Sequence, residues 1–414
     1  MDVSIQTLTT APPDAPTAGA PAPAGQSIDA SRSIAGGTYT ARLHTSLEAV
    51  KPLWLQCQAN GTCSAHQLHA WVEGIVKRLV PDGAELLIVE VTDAGTGEFK
   101  MLVPLMRRSR LGHRVIEWLS CGVCDYSAPL LSDRSQWTPQ AAEAAWAAVR
   151  SILPRADRIH ITGIPRQVYG VPNPLALLAV AQESSLITSG LVLDGDPATL
   201  IKRHGRPSFV KTYYKDWRRL ERHGTVDMIE ANTPALIELV FGALVEMRLK
   251  RFRQLGRFDL LAQPAVVDFY RNAALQGLSD GSVRIFGLRV GEDWVSVQYM
   301  LVRQGTLHAL LIGMDLEVVP NASPGLGLMG ELMGWGLRQG FDYFDLSVGS
   351  QPYKEQFGAV SSVLAKIDET LTPLGKGVAA VASLRDRAEL FVRSHPRLLK
   401  TAQGVVRGLR RSKG

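Results

Sequence analysis

At 414 residues the chain is too long for one compact core, so two domains is the starting expectation. A hydrophobic fraction of 46% with 20% charged residues is that of a soluble globular protein and confines disorder to segments. The net charge of +6 is gathered in residues 202–223, residues 248–257 and the stretch after Arg385, which points to anionic partners at particular places.

Residues 1–37 are dominated by Ala, Pro, Thr, Ser and Gly, a composition that buries too little apolar surface to offset chain entropy, and they are expected to be disordered. The start lacks the basic and apolar regions of a secretory signal, and no uncharged apolar run approaches the ~18 residues of a membrane span, so a cytoplasmic protein is expected. Leu47, Val50, Leu53 and Trp54 fall at helical spacing, and a second helix is expected from Ser64 to about Leu79. Strands follow at Glu85–Val91, Phe99–Met106 and Val115–Leu119, with turn residues at 93–97. Thr138 caps an alanine-rich helix that ends near Ile152, and Arg158–Thr162 is a strand.

Four cysteines are too few for a disulfide scaffold of this size. Cys121 and Cys124 have the gap of a zinc knuckle, and Cys63, His66 and His69 offer further ligands, but their spacing is unlike such sites. Reduced, buried thiols and no metal are the expectation.

The second half repeats the order. Strands are expected at Val283–Val290, Trp294–Val302 and Leu307–Met314, a helix from about Gly325 to Arg338, and a strand at Tyr343–Val348. Matching elements lie roughly 185–200 residues apart, beyond any solenoid period, which predicts a duplicated domain. The fold class is therefore α/β of the α+β type, with two tandem modules, each a mostly antiparallel mixed sheet flanked by helices. Their boundaries are 38–190 and 191–372, followed by a basic helical tail at 373–414. The tail from Ser383 carries nine basic residues against Asp386 and Glu389, and its apolar positions suggest contact with anionic lipid.

Pro324, Gly325, Leu326, Gly327 and Leu328 open the expected helix, where glycines admit a ligand to the backbone and amide hydrogens with the helix dipole favour a pyrophosphate. The same glycines spell G-x-G-x-x-G, but an antiparallel meander precedes them, unlike a dinucleotide fold. Gly277 to Gly281 matches G-x-S-x-G, yet a helix precedes Ser279 and a strand follows it, so an ordinary turn is expected. Asp345, on a strand before a glycine turn, falls near one sheet edge with Tyr353 and Lys354. Acyl transfer needs a base for the attacking group and an acid for the departing thiolate, which makes these three the candidate catalytic residues, with Tyr353 as the acid. Arg248 and Arg251 lie on a basic helix that suits a phosphate or carboxylate. Lys215, Arg218, Arg219 and Arg222 form a second basic lane.

The order helix, meander, helix, strand is that of the GNAT acetyltransferase core. Residues 211–358 resemble the acetyltransferase family associated with cellulose and exopolysaccharide synthesis, the CelD/BcsL-like branch of that superfamily. The likeness rests on Lys215–Leu220 with Gly224, Glu246–Gly256, Gly313-Met314-Asp315, and Phe344-Asp345-Leu346 with Gly349 and Tyr353-Lys354. In the first half, Cys124-Asp125-Tyr126-Ser127 before Pro129-Leu130 resembles the family's Asp-Tyr stretch. The superfamily usually has Gln or Arg three residues before the first loop glycine; here that position is Ala322.

The resemblance implies an acyltransferase that uses acetyl-CoA or another acyl-CoA for N- or O-acetyl transfer in surface polysaccharide or envelope biosynthesis. It adds Asp125, Tyr126 and Asp315 to the substrate-binding candidates. The expected acceptor is a small molecule, saccharide or envelope precursor, with no specific nucleic-acid partner and peripheral membrane contact through the tail. The alternatives are a peptidoglycan-type aminoacyltransferase using charged tRNA and a non-catalytic membrane-peripheral assembly factor. The first module's matching helix starts Gln136-Trp137-Thr138-Pro139 without glycines, so it is expected to bind no CoA and to wall the acceptor cleft.

Overall fold

The expected periodicities become two copies of one element order in the computed structural model, which describes residues 32–36, 38–110, 112–132 and 137–381. In the first copy β1 (Arg32–Gly36) and β2 (Tyr39–His44) precede α1 (Leu47–Asn60) and α2 (His69–Arg78). The meander β3 (Glu85–Asp93), β4 (Phe99–Arg110) and β5 (His113–Trp118) follows, then β6 (Leu130–Leu131), α3 (Pro139–Ile152) and β7 (Arg158–Ile164). A hairpin of β8 (Gln167–Val168) and β9 (Val171–Pro172) leads to the long β10 (Ala181–Val192). The second copy begins with α4 (Leu200–His204), α5 (Pro207–His223), β11 (Val226–Glu230), α6 (Pro234–Leu255) and α7 (Pro264–Gly277). Its meander is β12 (Val283–Val290), β13 (Asp293–Arg303) and β14 (Thr306–Met314), followed by α8 (Pro324–Arg338), β15 (Tyr343–Val348), α9 (Pro352–Gln356) and β16 (Val360–Thr370).

All strands but the β8–β9 hairpin join one 14-stranded sheet in the order β1-β2-β3-β4-β5-β7-β16-β10-β15-β14-β13-β12-β11, with β6 on β4. Among the described residues, only β5 with β7 and β14 with β15 pair in parallel; the other pairings are antiparallel. Apart from the extra edge strand β1, the order is palindromic about the β16–β10 contact. The modules exchange strands there, since β16 at the end of the second pairs with β7 of the first, and β10 pairs with β15. The expected division at 190/191 therefore falls inside β10, because hydrophobic spacing shows that a strand exists but not which edge it joins. Arg32–Gly36, within the segment expected to be disordered, pairs with Tyr39–Leu43. The helix expected from Ser64 starts at His69, after a single 3₁₀ turn at Ala65–Gln67. Residues 373–381 are helical, and the rest of the expected tail lies outside the described residues, as do residues 1–31 and 37.

Among the described residues, three large cores fill the two faces of the sheet, with a small fourth cluster of Tyr126, Val348 and Leu364. The central one joins the modules: Trp54 and Trp71 pack with Phe241, Phe269 and Tyr299, and the Trp71 and Phe269 rings meet edge to face at 4.7 Å. The opposite face carries α3 in the first module and α5 with α8 in the second. Gly330 allows the α5–α8 approach, because a Cβ there would overlap the Tyr213 ring and hydroxyl. Gly330→Ala is expected to cost about 1–3 kcal/mol, read as a lower urea midpoint with unchanged slope. Among the described residues, no helix is long and apolar enough to cross a membrane.

Candidate active site

Strands β14 and β15 pair at only three positions, Thr306 with Tyr343, Leu307 with Phe344 and His308 with Asp345. Beyond that point they part. Both strands are irregular there: the β13–β14 register shifts between Ala309 and Leu311, and Ser347 adopts a left-handed conformation, φ 60°, rare for a side-chain-bearing residue, with its amide donating to Asp345 Oδ1 at 2.7 Å. The parting leaves a notch. The resulting cleft, about 970 Å³ including its open mouth, has Ala309–Ile312 on one wall and Leu346–Val348 on the other. Arg248, Gln298, Tyr353 and Lys354 line it from the second module, and Gly122, Val123 and Asp125 from the first.

A buried hydrogen-bond network closes the base of the notch. Asp345 accepts from His308 Nδ1 at 2.8 Å and from the Tyr126 hydroxyl at 2.7 and 2.9 Å. With Nδ1 donating, His308 Nε2 is left to accept from the Tyr169 hydroxyl at 3.2 Å. The Thr188 hydroxyl contacts Tyr126, so β10 and the first module both reach this point. Burial alone would raise the Asp345 pKa, but hydrogen bonds from His308, Tyr126 and the Ser347 amide outweigh it and hold the carboxyl below its usual range. Asp345 is thus a weak proton acceptor with both oxygens occupied. His66, fully buried beside the Tyr126 and His308 rings, has its pKa pushed down to about 3 by burial and then by His308, so it stays neutral.

Lys354 is the other unusual group. It is 2% exposed, and its Nζ donates to Ser347 O at 2.7 Å. Burial brings its pKa down to about 8, with Asp345 and Asp125 opposing the shift. An amine near 8 exchanges protons at physiological pH. The half-buried Tyr353 lies beside it on α9, and burial raises its hydroxyl above the ordinary value, so it keeps its proton. Gln298 Oε1, Gln351 Oε1 and Ser347 Oγ line the cleft and find no hydrogen-bond partner among the described residues.

Residues 207–355, from α5 to α9, match the family described as an acetyltransferase (GNAT) domain. The second module is a GNAT acetyltransferase domain. The chain accordingly carries acyltransferase machinery on two tandem GNAT-like modules. No curated protein matches it. Among solved structures, FemX superposes with a TM-score of 0.53 at 11% identity, covering 82% of this chain and 98% of its own, and so shares the fold across both modules. A conserved protein of unknown function from Bacteroides thetaiotaomicron gives 0.49 at 9% identity, covering 80% and 99%. A tandem GNAT protein from the clavulanic acid biosynthesis pathway gives 0.43 at 12%, covering 78% and 96%.

The glycine stretch of the GNAT domain has a specific geometry. Pro324 brings no amide hydrogen, and the amides of Leu326 and Gly327 both donate to Ser323 O, at 3.1 and 3.0 Å. Few donors remain to meet a phosphate. A Cβ at Gly325 would come within 2.8 Å of the Met314 methyl, and the Leu328 side chain is fully buried in the core. Leu326 and Gly327 instead line a second groove, shared with Thr212, Trp217 and Gln356, so α8 and α9 border both this groove and the notch. Lys211, Lys215, Arg218 and Arg222 form an exposed row along α5, whereas Arg219 pairs with Asp216 at 2.9 Å.

Of the residues expected to act together, the fold brings Tyr353, Lys354, Asp125 and Arg248 to the GNAT cleft and joins Asp345 to Tyr126 behind it. Arg248 is committed there, with Nη2 2.8 Å from Asp259 and Nη1 donating to Ile312 O at 3.1 Å. Arg251 and Asp315 do not join this group. Arg251 sits half-buried elsewhere on α6, and Asp315, just after β14, forms an ion pair with Lys250 at 3.1 Å. His308, Tyr169 and Thr188 escaped the sequence reading, and His66 was read there only as a possible metal ligand, because each stands apart in sequence and only the tertiary fold gathers them. Ser279 lies in a turn after α7 with its hydroxyl donating to Gln276 O at 2.9 Å. The four cysteines are free, and burial pushes the Cys57 and Cys63 thiols up to about 12. Among the described residues, no group of His, Cys, Asp and Glu is arranged to hold a metal.

Proposed function

We propose that the GNAT domain transfers an acyl group from acetyl-CoA or another acyl-CoA to a hydroxyl- or amine-bearing acceptor. The observation that carries this reading is the notch between β14 and β15, which ends at Lys354 and Tyr353. An amide-bearing donor arm laid between the parted strands would supply N–H groups to the unpaired oxygens of Gln298, Gln351 and Ser347. Neutral Lys354 takes the acceptor's proton, the acceptor attacks the thioester carbon, the carbon–sulfur bond breaks, and the Tyr353 hydroxyl protonates the thiolate. Asp345 positions rather than reacts. Arg248 with Asp259, and Asp125, face the acceptor, for which the resemblance to polysaccharide-associated acetyltransferases favours a saccharide or envelope precursor. The basic sequence after Arg385 favours work at the inner face of a membrane.

A second reading, transfer from charged tRNA, draws support from one feature: the helix start at Pro324 is short of phosphate donors, while the cationic row on α5 suits a longer polyanion. Calorimetric titration separates the two. Acetyl-CoA or a longer acyl-CoA is expected to bind at one equivalent per chain and NAD not at all. Binding of aminoacyl-tRNA with no binding of any acyl-CoA would reverse the choice.

A further inference from the structure

The two modules contain the same parallel strand pair but treat it oppositely. In the first, β5 and β7 pair at Val115 with Arg158, Ile116 with Ile159 and Glu117 with His160, matching the three pairs at the root of the open notch. In the second module β14 then runs on to Met314. Its counterpart β5 stops at Trp118. The chain reverses through the left-handed residues Cys121 and Gly122 and returns beside β7, where the Ser127 amide donates to Gly163 O at 2.8 Å. Main chain thus occupies the position that a donor arm would take against a parted strand.

We infer that the first module is a blocked donor module, and that its blocking segment, residues 124–128, is held by Gly163 so as to complete the second module's site. This rests on the donor reading of the open notch. The segment is fixed from three sides. Gln67 Nε2 donates to Tyr126 O and Asn173 Nδ2 to Ser127 O, both at 3.1 Å, and a Cβ on Gly163 would lie 2.7 Å from Asp125 O. Gly163 itself has φ 69°, a second reason for glycine there. From this seat the segment puts Asp125 into the cleft and the Tyr126 hydroxyl on Asp345. Gly163 is therefore a positioning residue, acting on the chemistry through Asp125 and Tyr126.

The test uses the full chain. Gly163→Ala is expected to shift the segment, lowering kcat/KM for the acceptor by up to roughly 10²-fold, as a displacement near 1 Å does, while acetyl-CoA affinity and its single equivalent stay unchanged. Hydrogen exchange reads the same displacement without any donor: protection should fall at residues 124–128 and also at the Ser347 amide, which Asp345 holds. Asn173→Leu, which removes the bond to Ser127 O, should act in the same direction if Gly163→Ala does not fold. Two equivalents of acyl-CoA on the wild-type chain would overturn the inference. So would a folded variant with unchanged Ser347 protection or unchanged acceptor kinetics. Absence of acyl-CoA binding by the wild type, with coupled loss of protection in the variant, would sink the donor reading and leave the coupling between modules standing.

Discussion

Lys354→Met is expected to lower kcat by about 10²–10⁴, the usual contribution of a positioned acid or base, with acyl-CoA affinity nearly retained. Methionine keeps the bulk of the buried side chain but removes the 2.7 Å bond to Ser347 O, leaving it only the Thr188 hydroxyl at 3.5 Å, which costs about 1–3 kcal/mol and should appear as a lower thermal midpoint. The pH profile separates a chemical role from packing. Wild-type kcat/KM should rise as pH passes through about 8, where the amine becomes neutral and able to accept a proton. That limb should vanish in Lys354→Met and survive in Tyr353→Phe, whose rate falls at every pH. The folded pKa lies below the usual 10.5, so Lys354 contributes stability that is complete above 10.5 and is lost as pH falls to about 8. A variant that turns over normally with the limb intact would remove Lys354 from the chemistry.

Asp345→Asn should have the largest effect on folding, about 3 kcal/mol, because an amide has one acceptor oxygen where the carboxylate receives His308, Tyr126 and the Ser347 amide. Its NH₂ group would face a hydroxyl or ring N–H already donating. Since the folded pKa is held below the usual 3.8, the carboxylate's contribution is present at neutral pH and disappears as pH falls through that lower value. Urea unfolding should therefore show a gap between wild type and Asp345→Asn that is wide at pH 7 and narrows in strong acid. A constant gap would mean that the charge is not what stabilises the network.

Much of the architecture was legible because both meanders and α8 show their period directly: β12 and β15 have the bounds read from sequence, and β14 and α8 differ by one residue at their start. The strands that weld the modules were not legible. Ala181–Val192 mixes Ser, Thr and Gly with few apolar residues, and Val360–Thr370 alternates weakly, since both lie mid-sheet where neighbouring strands satisfy their backbones. At the site, Tyr353 and Lys354 could be read because they follow a glycine turn in one short segment. The side-chain partners of Asp345, His308 and Tyr126, lie 37 and 219 residues away, a separation that no local pattern encodes. The glycines of α8 were visible, but their use was not, because Gly330 faces Tyr213 and the amides of Leu326 and Gly327 are already bonded to Ser323 O.

The pairing of β16 with β7 has a consequence for synthesis. On the ribosome the first module is complete in sequence by β7, yet the free edge of that strand receives its partner only when residues 360–370 emerge. Until then the backbone edge of β7, a strand carrying Ile159, Ile161 and Ile164, stays open to any other strand. Translation of roughly 200 further residues at 5–20 per second leaves that edge open for about 10–40 seconds. The nascent chain is therefore expected to recruit a holding chaperone in that interval, and truncation before Val360 should yield aggregates rather than a free first module.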